Sequence, residues 1–251
     1  MAGTVTATQG GASATSNGMG LRVMVITGAL AVASQTGGSA GTNVASGTTY
    51  TLSITTTQAN SRVYGAGTVF TGGVSSAAAA ATTLIDNFLD ATNTDNYVTW
   101  KATSLTGTPG ATTLGYTNTA NTGGTGPCAY EVMVSATLAE DGSGPAFAST
   151  TTATAVTTAS FTPPGGSLLV AMVAANGGTG SETMTLSDTL GTLNWTEKAR
   201  NTAGAGNDYA GVWIADVPGG ATSGPALFPG MASRPSAILR AAGRRGATHS
   251  R

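Results

Sequence analysis

The sequence has one histidine, His249, and one cysteine, Cys128, in 251 residues. A single cysteine excludes an intrachain disulfide framework, and the two counts together exclude a zinc site built on Cys and His ligands. His249 lies in a segment without strand periodicity, where no third group would hold an imidazole base in place. Hydrolases of the Ser-His-Asp and Cys-His types are therefore not indicated.

Charge is also scarce, at 8% of residues against roughly a quarter in a typical soluble domain. The net charge of −1 gives no overall field that would attract nucleic acid or an anionic membrane. Half of the ten basic residues follow the last acid, Asp216: Arg234, Arg240, Arg244, Arg245 and Arg251. We interpret this weak basic run as an irregular end of the chain, in preference to a tether for nucleic acid or an anionic surface.

Motifs of catalysis and cofactor binding are missing or out of context. The letters GGSAG at 37–41 match the esterase pattern, but they fall in a Gly/Ser/Thr loop and not in a strand–turn–helix. Lys101 and Lys198 are the only lysines, and neither lies in a phosphate-binding loop. The sequence therefore predicts a protein that is not an enzyme, with no catalytic residue and no cofactor.

No stretch reaches the ~20 apolar residues of a membrane helix. The nearest is LRVMVITGALAVA at 21–33, which has the length of a signal-peptide core. Twenty uncharged residues precede it without a basic segment, so the pattern favours a buried strand ending at Gly28 over a signal peptide.

Thr, Gly, Ala and Ser dominate what remains, and this composition favours short strands joined by turns. A strand–turn–strand pattern occurs twice, at 50–69 and at 157–175. One tryptophan follows in each copy, Trp100 and Trp195, and both are expected in a core. Only 74–87, with five consecutive alanines, leaves helix and strand equally open.

These patterns predict an all-β protein of two tandem antiparallel β-sandwiches, Ig-like or jelly-roll-like. The first sandwich is expected at 20–136 and a second, short for a complete one, at 155–218. A linker at 137–154 holds Pro145 and several glycines, which oppose continued strand pairing. A flexible or edge-strand arm is expected at 1–19, and an irregular basic tail at 219–251.

Two kinds of binding residue remain. Asp86, Asp90 and Asp95 supply hard oxygen ligands in one segment, so they are candidates for calcium, although their spacing is not that of an EF-hand. Aromatic rings on a sheet could bind carbohydrate, and those available are Tyr64, Tyr97, Tyr116, Tyr209 and Trp213.

Three segments resemble those of a known group of proteins: SRVYG at 61–65, TPGATT at 108–113 and ASFTPPGGSLLV at 159–170. Over roughly residues 4–220 the chain resembles tandem β-sandwich proteins of actinobacteria and their phages and prophages, some assigned to the virion tail by gene neighbourhood. The resemblance implies a structural or adhesive virion component, tail-associated or surface-decorating. Its partners would be other virion proteins, further copies of itself or a cell-surface glycan. The alternative is a secreted carbohydrate-binding or adhesion module, so the expected location is a virion or the cell exterior.

Overall fold

The computed structural model describes residues 2–10, 18–44, 46–70, 75–92, 95–124, 126–176, 183–191, 193–202 and 209–219. Within these ranges every regular element longer than three residues is a β-strand, and Met1–Gly220 forms one compact unit. The strands are β1 Val5–Gly10, β2 Met19–Ala29, β3 Ser39–Gly41, β4 Ser46–Thr55, β5 Arg62–Phe70, β6 Ser76–Ala78, β7 Thr82–Asp90, β8 Asp95–Ala102, β9 Ala111–Gly124, β10 Cys128–Val132, β11 Val134–Asp141, β12 Ala148–Thr150, β13 Ala155–Thr157, β14 Leu168–Ala175, β15 Thr183–Asp188, β16 Thr196–Thr202 and β17 Tyr209–Asp216.

The strands lie in four layers. An outer sheet has the order β13-β1-β15, and the next has the order β11-β2-β14-β17-β16, with β12 also paired to β2. The third layer has the order β3-β10-β5-β8-β7. The fourth consists of β9 between β4 and β6, and it joins the third where the end of β5 pairs with the end of β9. All of these pairings are antiparallel, so the all-β prediction is confirmed.

Three hydrophobic cores separate the four layers. The first core contains Val5 and Ala7 of β1 together with odd-numbered residues of β2 and β14. The second contains even-numbered residues of β14 with Tyr64 and Tyr130 from the third layer. The third joins Trp100 of β8 to Tyr50 and Leu114 of the fourth layer. Because successive strand residues point to opposite faces, the two inner sheets are covered on both sides.

Strand β14 shows what this arrangement demands of the sequence. Its eight residues, LLVAMVAA, are all buried, with Leu168, Val170 and Met172 in the second core and Leu169 and Ala171 in the first. A strand with one face in solvent would alternate apolar and polar residues. The continuous apolar run is therefore the mark of an inner strand.

Two glycines of β5 make room for large rings in the third core. A Cβ atom at Gly65 would lie 2.2 Å from Cζ2 of Trp100, and one at Gly67 would lie 2.3 Å from the hydroxyl oxygen of Tyr116. Real Cβ atoms do not approach other atoms so closely, so both positions require glycine. The rings of Trp100 and Tyr116, both fully buried, pack against this bare backbone.

The predicted division into tandem sandwiches is not confirmed. β2, from the range predicted for the first sandwich, pairs along eight residues with β14, from the range predicted for the second. The predicted linker, 137–154, contains the end of β11 and all of β12, and both of these strands also pair with β2. Strand pairing crosses the expected boundary because β14 needs a neighbour on each edge, and β2 is one of them.

Three further predictions concern the two ends of the chain. The predicted arm, 1–19, includes β1, which is the middle strand of its sheet with Val5 and Ala7 fully buried, so the prediction of a flexible or edge-strand arm is wrong there. Residues 21–29, the start of the signal-like run, lie in β2, as the strand interpretation expected. The predicted basic tail lies, apart from Gly219, outside the described residues.

Two local predictions are also settled. The segment 74–87 forms no helix where described; it contains β6 and the start of β7, joined by a turn at Ala80 and Ala81, which decides between helix and strand. The first copy of the repeated unit does contain two strands around a turn, β4 and β5. These strands do not form a hairpin, because β4 pairs with β9 and β5 pairs with β10 and β8.

Candidate interaction surfaces

The three calcium candidates lie on β7 and β8 but face different partners. Asp90 and Asp95 pair across the connection between the strands, and both are buried. The side-chain amide of Asn176 donates to Asp95. Asp86 lies farther along β7, where it accepts a hydrogen bond of 2.7 Å from the Thr99 hydroxyl.

Asp86 also forms an ion pair of 3.6 Å with Arg22. Burial raises the pKa of Asp86, and the Thr99 hydrogen bond and the Arg22 charge oppose that rise. Among the described residues, no three Asp, Glu, His or Cys side chains lie close enough to hold a metal ion. Calcium binding by Asp86, Asp90 and Asp95 therefore stays a prediction.

Most of the aromatic residues considered for carbohydrate binding are in the cores. The side chains with no exposed surface are Tyr64, Tyr97, Tyr116 and Tyr209. Trp213 is half-buried at the edge of the first core. Of the two tryptophans expected in a core, Trp100 is fully buried and Trp195 is half-buried. Strand alternation alone could not separate these cases, because it does not show that an inner sheet is covered on both faces.

Glu131 of β10 is a buried carboxylate that organises the loop after β4. Its two oxygens accept hydrogen bonds from the backbone N–H groups of Gly38, Thr57 and Gln58 at 2.8–3.1 Å, and from the Ser61 hydroxyl at 2.6 Å. Burial alone would raise the pKa of Glu131, but these hydrogen bonds outweigh it and the pKa is lowered. Every donor is part of the fold, so we interpret this carboxylate as structural. No sequence motif marks it.

A second carboxylate, Glu140 of β11, joins two basic side chains between the inner sheets. Arg62 donates to it at 2.9 Å, the Tyr64 hydroxyl donates at 3.0 Å, and Lys101 also pairs with it. Burial alone would raise the pKa of Glu140, but the hydrogen bonds from Lys101 and Arg62 outweigh it and the pKa is lowered. Each charge therefore already has a partner within the protein.

A cleft of about 510 Å³ opens beside the third core. Its walls are hydroxyl and apolar side chains, and none of its lining residues carries an ionisable group: Thr56, Val63, Ala81, Ala102, Thr103, Ser104, Leu105, Thr106, Gly107, Thr108, Gly110, Ala111, Thr112 and Leu114. A ligand in this cleft would meet hydroxyl groups but no side chain able to act as an acid or base near neutral pH.

Strand β4 is the exposed edge of the fourth layer. Gly115 of β9 lies opposite Thr51, yet its N–H donates to the Thr82 hydroxyl and its carbonyl accepts from Ala79 N–H, on the side away from β4. In an antiparallel ladder, hydrogen-bonded and non-bonded pairs alternate. The even-numbered residues of β4 therefore bond to β9, and Thr49, Thr51 and Ser53 direct their N–H and C=O groups outward.

This edge lacks the charged side chains that protect the other long edges, and its one register shift lies near the start of β4, between Gly47 and Thr49. The outermost strands of the inner sheets have register shifts and charged side chains: Glu197 and Arg200 on β16, Glu140 and Asp141 on β11, and Asp86 and Asp90 on β7. Natural proteins use such features to prevent edge-to-edge association. β4 has no charged residue and no proline, and its pairing with β9 is regular over 49–55.

Among the residues that the structure describes, no helix is long and apolar enough to cross a membrane. Comparison with protein-family models, with curated proteins and with solved structures finds no match to this chain.

Proposed function

We propose that the protein is a non-enzymatic structural or adhesive component of a phage or prophage virion, and that copies of it associate through the edge of β4. The observation that carries the proposal is this charge-free edge, with backbone groups directed outward at Thr49, Thr51 and Ser53. The resemblance to β-sandwich proteins of actinobacterial phages supports the assignment to a particle.

The sequence of β4 suits pairing with a second copy of itself. An antiparallel pair centred on Thr51 would place Thr49 opposite Ser53 and Tyr50 opposite Leu52. Such a pair would form roughly six backbone hydrogen bonds. Because β4 carries no charge, the symmetric arrangement opposes no like charges, which would otherwise destabilise it. A two-fold interface of this kind is the commonest way in which identical chains assemble.

The outer surfaces suit a structural or adhesive role. Exposed side chains on the outer strands are mostly hydroxyls, among them Thr8 of β1, Thr185 and Ser187 of β15, and Thr49 and Ser53 of β4. Sheets carry these groups on rigid backbones, with three cores beneath them. The result is a stiff surface of low charge, whose contacts depend on shape and hydroxyl groups more than on electrostatic attraction.

The proposal predicts a defined oligomer that depends on β4. In the double variant Thr51→Lys/Ser53→Lys, the lysine at position 51 lies opposite its own copy, and the lysine at position 53 lies diagonal to position 51 of the second copy. We expect this concentration of like charge to weaken association roughly tenfold or more. The matched control Thr113→Lys puts a lysine on the same outer face, opposite Ser53 but on β9, and should associate like the wild type. Multi-angle light scattering and sedimentation of the full chain measure both.

The measured oligomeric states of the wild type and the double variant distinguish three cases. A dimer or larger oligomer that the double variant dissociates, and that persists when the chain ends at Gly219, supports assembly through β4. An oligomer unaffected by the lysines places the interface elsewhere. A wild-type chain that stays monomeric at high concentration would refute self-assembly as its role.

A further inference from the structure

Two of the three tryptophans, Trp195 and Trp213, lie on one face of the β16–β17 pair, where they are half-buried at the edge of the first core. In this pair Glu197 lies opposite Trp213, and Thr196 lies opposite Ile214. Trp195 directly precedes β16, so it falls on the same face as Glu197 and Trp213 and diagonal to Trp213. Each indole packs part of its surface on the first core and leaves the rest accessible, so two such rings lie together in a chain with 6% aromatic residues.

Both indole N–H groups bond to acceptors within the protein. Nε1 of Trp213 donates to the Tyr209 hydroxyl at 2.7 Å, and Nε1 of Trp195 donates to Oδ2 of Asp188 at 3.1 Å. Asp188 is itself held by the backbone N–H groups of Leu190 and Leu193. These bonds fix the rings and occupy their polar edges, so the surface that remains exposed is carbon.

A fixed polar group lies beside the rings. Glu197 accepts two hydrogen bonds from Arg200, at 2.8 and 2.5 Å, and one of 2.6 Å from the Tyr209 hydroxyl. The Arg200 guanidinium lies 5.8 Å from the centre of the Tyr209 ring, and its side chain is 43% exposed. Trp213, Tyr209, Glu197 and Arg200 therefore form one continuous chain of hydrogen bonds, with rigid rings at one end and an exposed planar donor at the other.

We propose that this face, formed by Trp195, Trp213, Glu197 and Arg200, binds a neutral saccharide. A sugar ring has an apolar C–H face that packs on an indole, and hydroxyls at its rim that bond to planar donors and acceptors. Glu197 balances the charge of Arg200, so a phosphate or a carboxylated sugar would meet a carboxylate next to the cation. The chemistry thus favours an uncharged ligand.

This binding function goes beyond the proposed assembly through β4, and neither depends on the other. The two surfaces use different strands, β16 and β17 in one case and β4 in the other. A chain that binds saccharide as a monomer would contradict assembly alone, and an oligomer without affinity for sugar would contradict the saccharide site alone.

The test is titration of the full chain with cellohexaose, laminarihexaose and chitohexaose, followed by calorimetry and by tryptophan fluorescence. We expect at least one of them to bind with a Kd of about 1 mM or tighter. Binding should shift the emission of the half-exposed indoles, while the fully buried Trp100 contributes a constant background.

Three variants locate the site. Trp195→Ala removes one ring and Arg200→Gln removes the guanidinium from an exposed side chain, so each should weaken binding roughly tenfold. Phe147→Ala removes another half-buried aromatic side chain, which packs against Phe88 away from β16, and should bind as the wild type does. Thermal unfolding of each variant shows whether it is folded.

Absence of binding to all three oligosaccharides at 10 mM, roughly ten times the expected Kd, would overturn the proposal. Binding that neither Trp195→Ala nor Arg200→Gln weakens would do the same. So would preferential binding of an anionic probe such as inorganic phosphate.

Discussion

Replacing Glu131 with glutamine removes one acceptor oxygen from a buried side chain that accepts hydrogen bonds from four residues, and it leaves the shape of the side chain nearly unchanged. Each carboxylate oxygen now accepts several hydrogen bonds, from Gly38 and Thr57 on one side and from Gln58 and Ser61 on the other. An amide has one oxygen and one NH2 group. Whichever way it turns, the NH2 group faces a backbone N–H that loses its acceptor.

The expected loss of stability follows from two effects. A buried donor without a partner costs about 1–3 kcal/mol, and hydrogen bonds to a charged group are worth more than those to a neutral one. Because Ser61 can rotate its hydroxyl to accept from the new NH2 group, part of the loss is recovered. We expect Glu131→Gln to lower the free energy of unfolding by about 3 kcal/mol. For a chain of this size that corresponds to a fall in Tm of about 6–12 °C.

The pH dependence gives a second, independent test. The pKa of Glu131 is lowered in the folded state from its ordinary value of 4.5. Its contribution to stability is therefore fully present above pH 4.5 and is lost as the pH falls through the lower folded-state pKa. The glutamine variant has no such group, so the stability gap between wild type and variant should narrow on acidification.

Differential scanning calorimetry at pH 7 and at steps below pH 4.5 measures both effects. Asp141→Asn makes the same change of charge at a position with fewer hydrogen-bond donors, and its side-chain oxygen can still accept from Ser143 N–H, so its Tm should fall much less than that of Glu131→Gln. If Glu131→Gln unfolds within about 1 kcal/mol of the wild type at pH 7, the carboxylate does not hold the loop as argued.

Two further perturbations test the packing. Gly65→Ala would place a Cβ atom 2.2 Å from Cζ2 of Trp100. It should therefore lower the free energy of unfolding by about 1–3 kcal/mol or more and change the emission spectrum of Trp100. An unchanged Tm would mean that the ring moves freely. Cys128 is fully buried, and burial raises the pKa of its thiol to about 12. Ellman's reagent at pH 8 should therefore react with this thiol only after the protein is unfolded in guanidinium chloride. Rapid reaction of the native protein would contradict the burial of Cys128.

Strands with a strong apolar pattern were predictable from the sequence, whereas β1 and β12 were not, and neither were the partners of any strand. The run LLVAMVAA at 168–175 indicates a buried strand because every position is apolar, and β14 is such a strand. The pairing of β14 with β2 joins residues about 145 positions apart, and local patterns carry no information on a contact so distant. The tandem division rested on two similar strand–turn–strand units, which suggested two separate domains, and it is not confirmed.

The sequence also could not show which candidate binding residues lie together on one surface. Trp213 was among the aromatic residues considered for carbohydrate, but Trp195 was expected in a core, because alternation cannot tell a covered face from an open one. Asp86, Asp90 and Asp95 are close in sequence, yet Asp86 faces Arg22 across the second core while Asp95 faces Asn176. Loop spacing alone could not show that the pleat and the register shift between Leu84 and Asp86 turn these carboxylates to different partners.

The position of β1 between β13 and β15 affects how the protein is made. Val5 pairs with Asp188, so a nascent chain must reach β15 before β1 has both of its neighbours. At synthesis rates of about 5–20 residues per second, that wait lasts roughly 10–35 s. During this time Val5 and Ala7 have no completed core to enter, and folding dominated by such distant contacts is slow. During synthesis, β1 is therefore open to mispairing or to capture by a chaperone for longer than a strand whose partners are close in sequence.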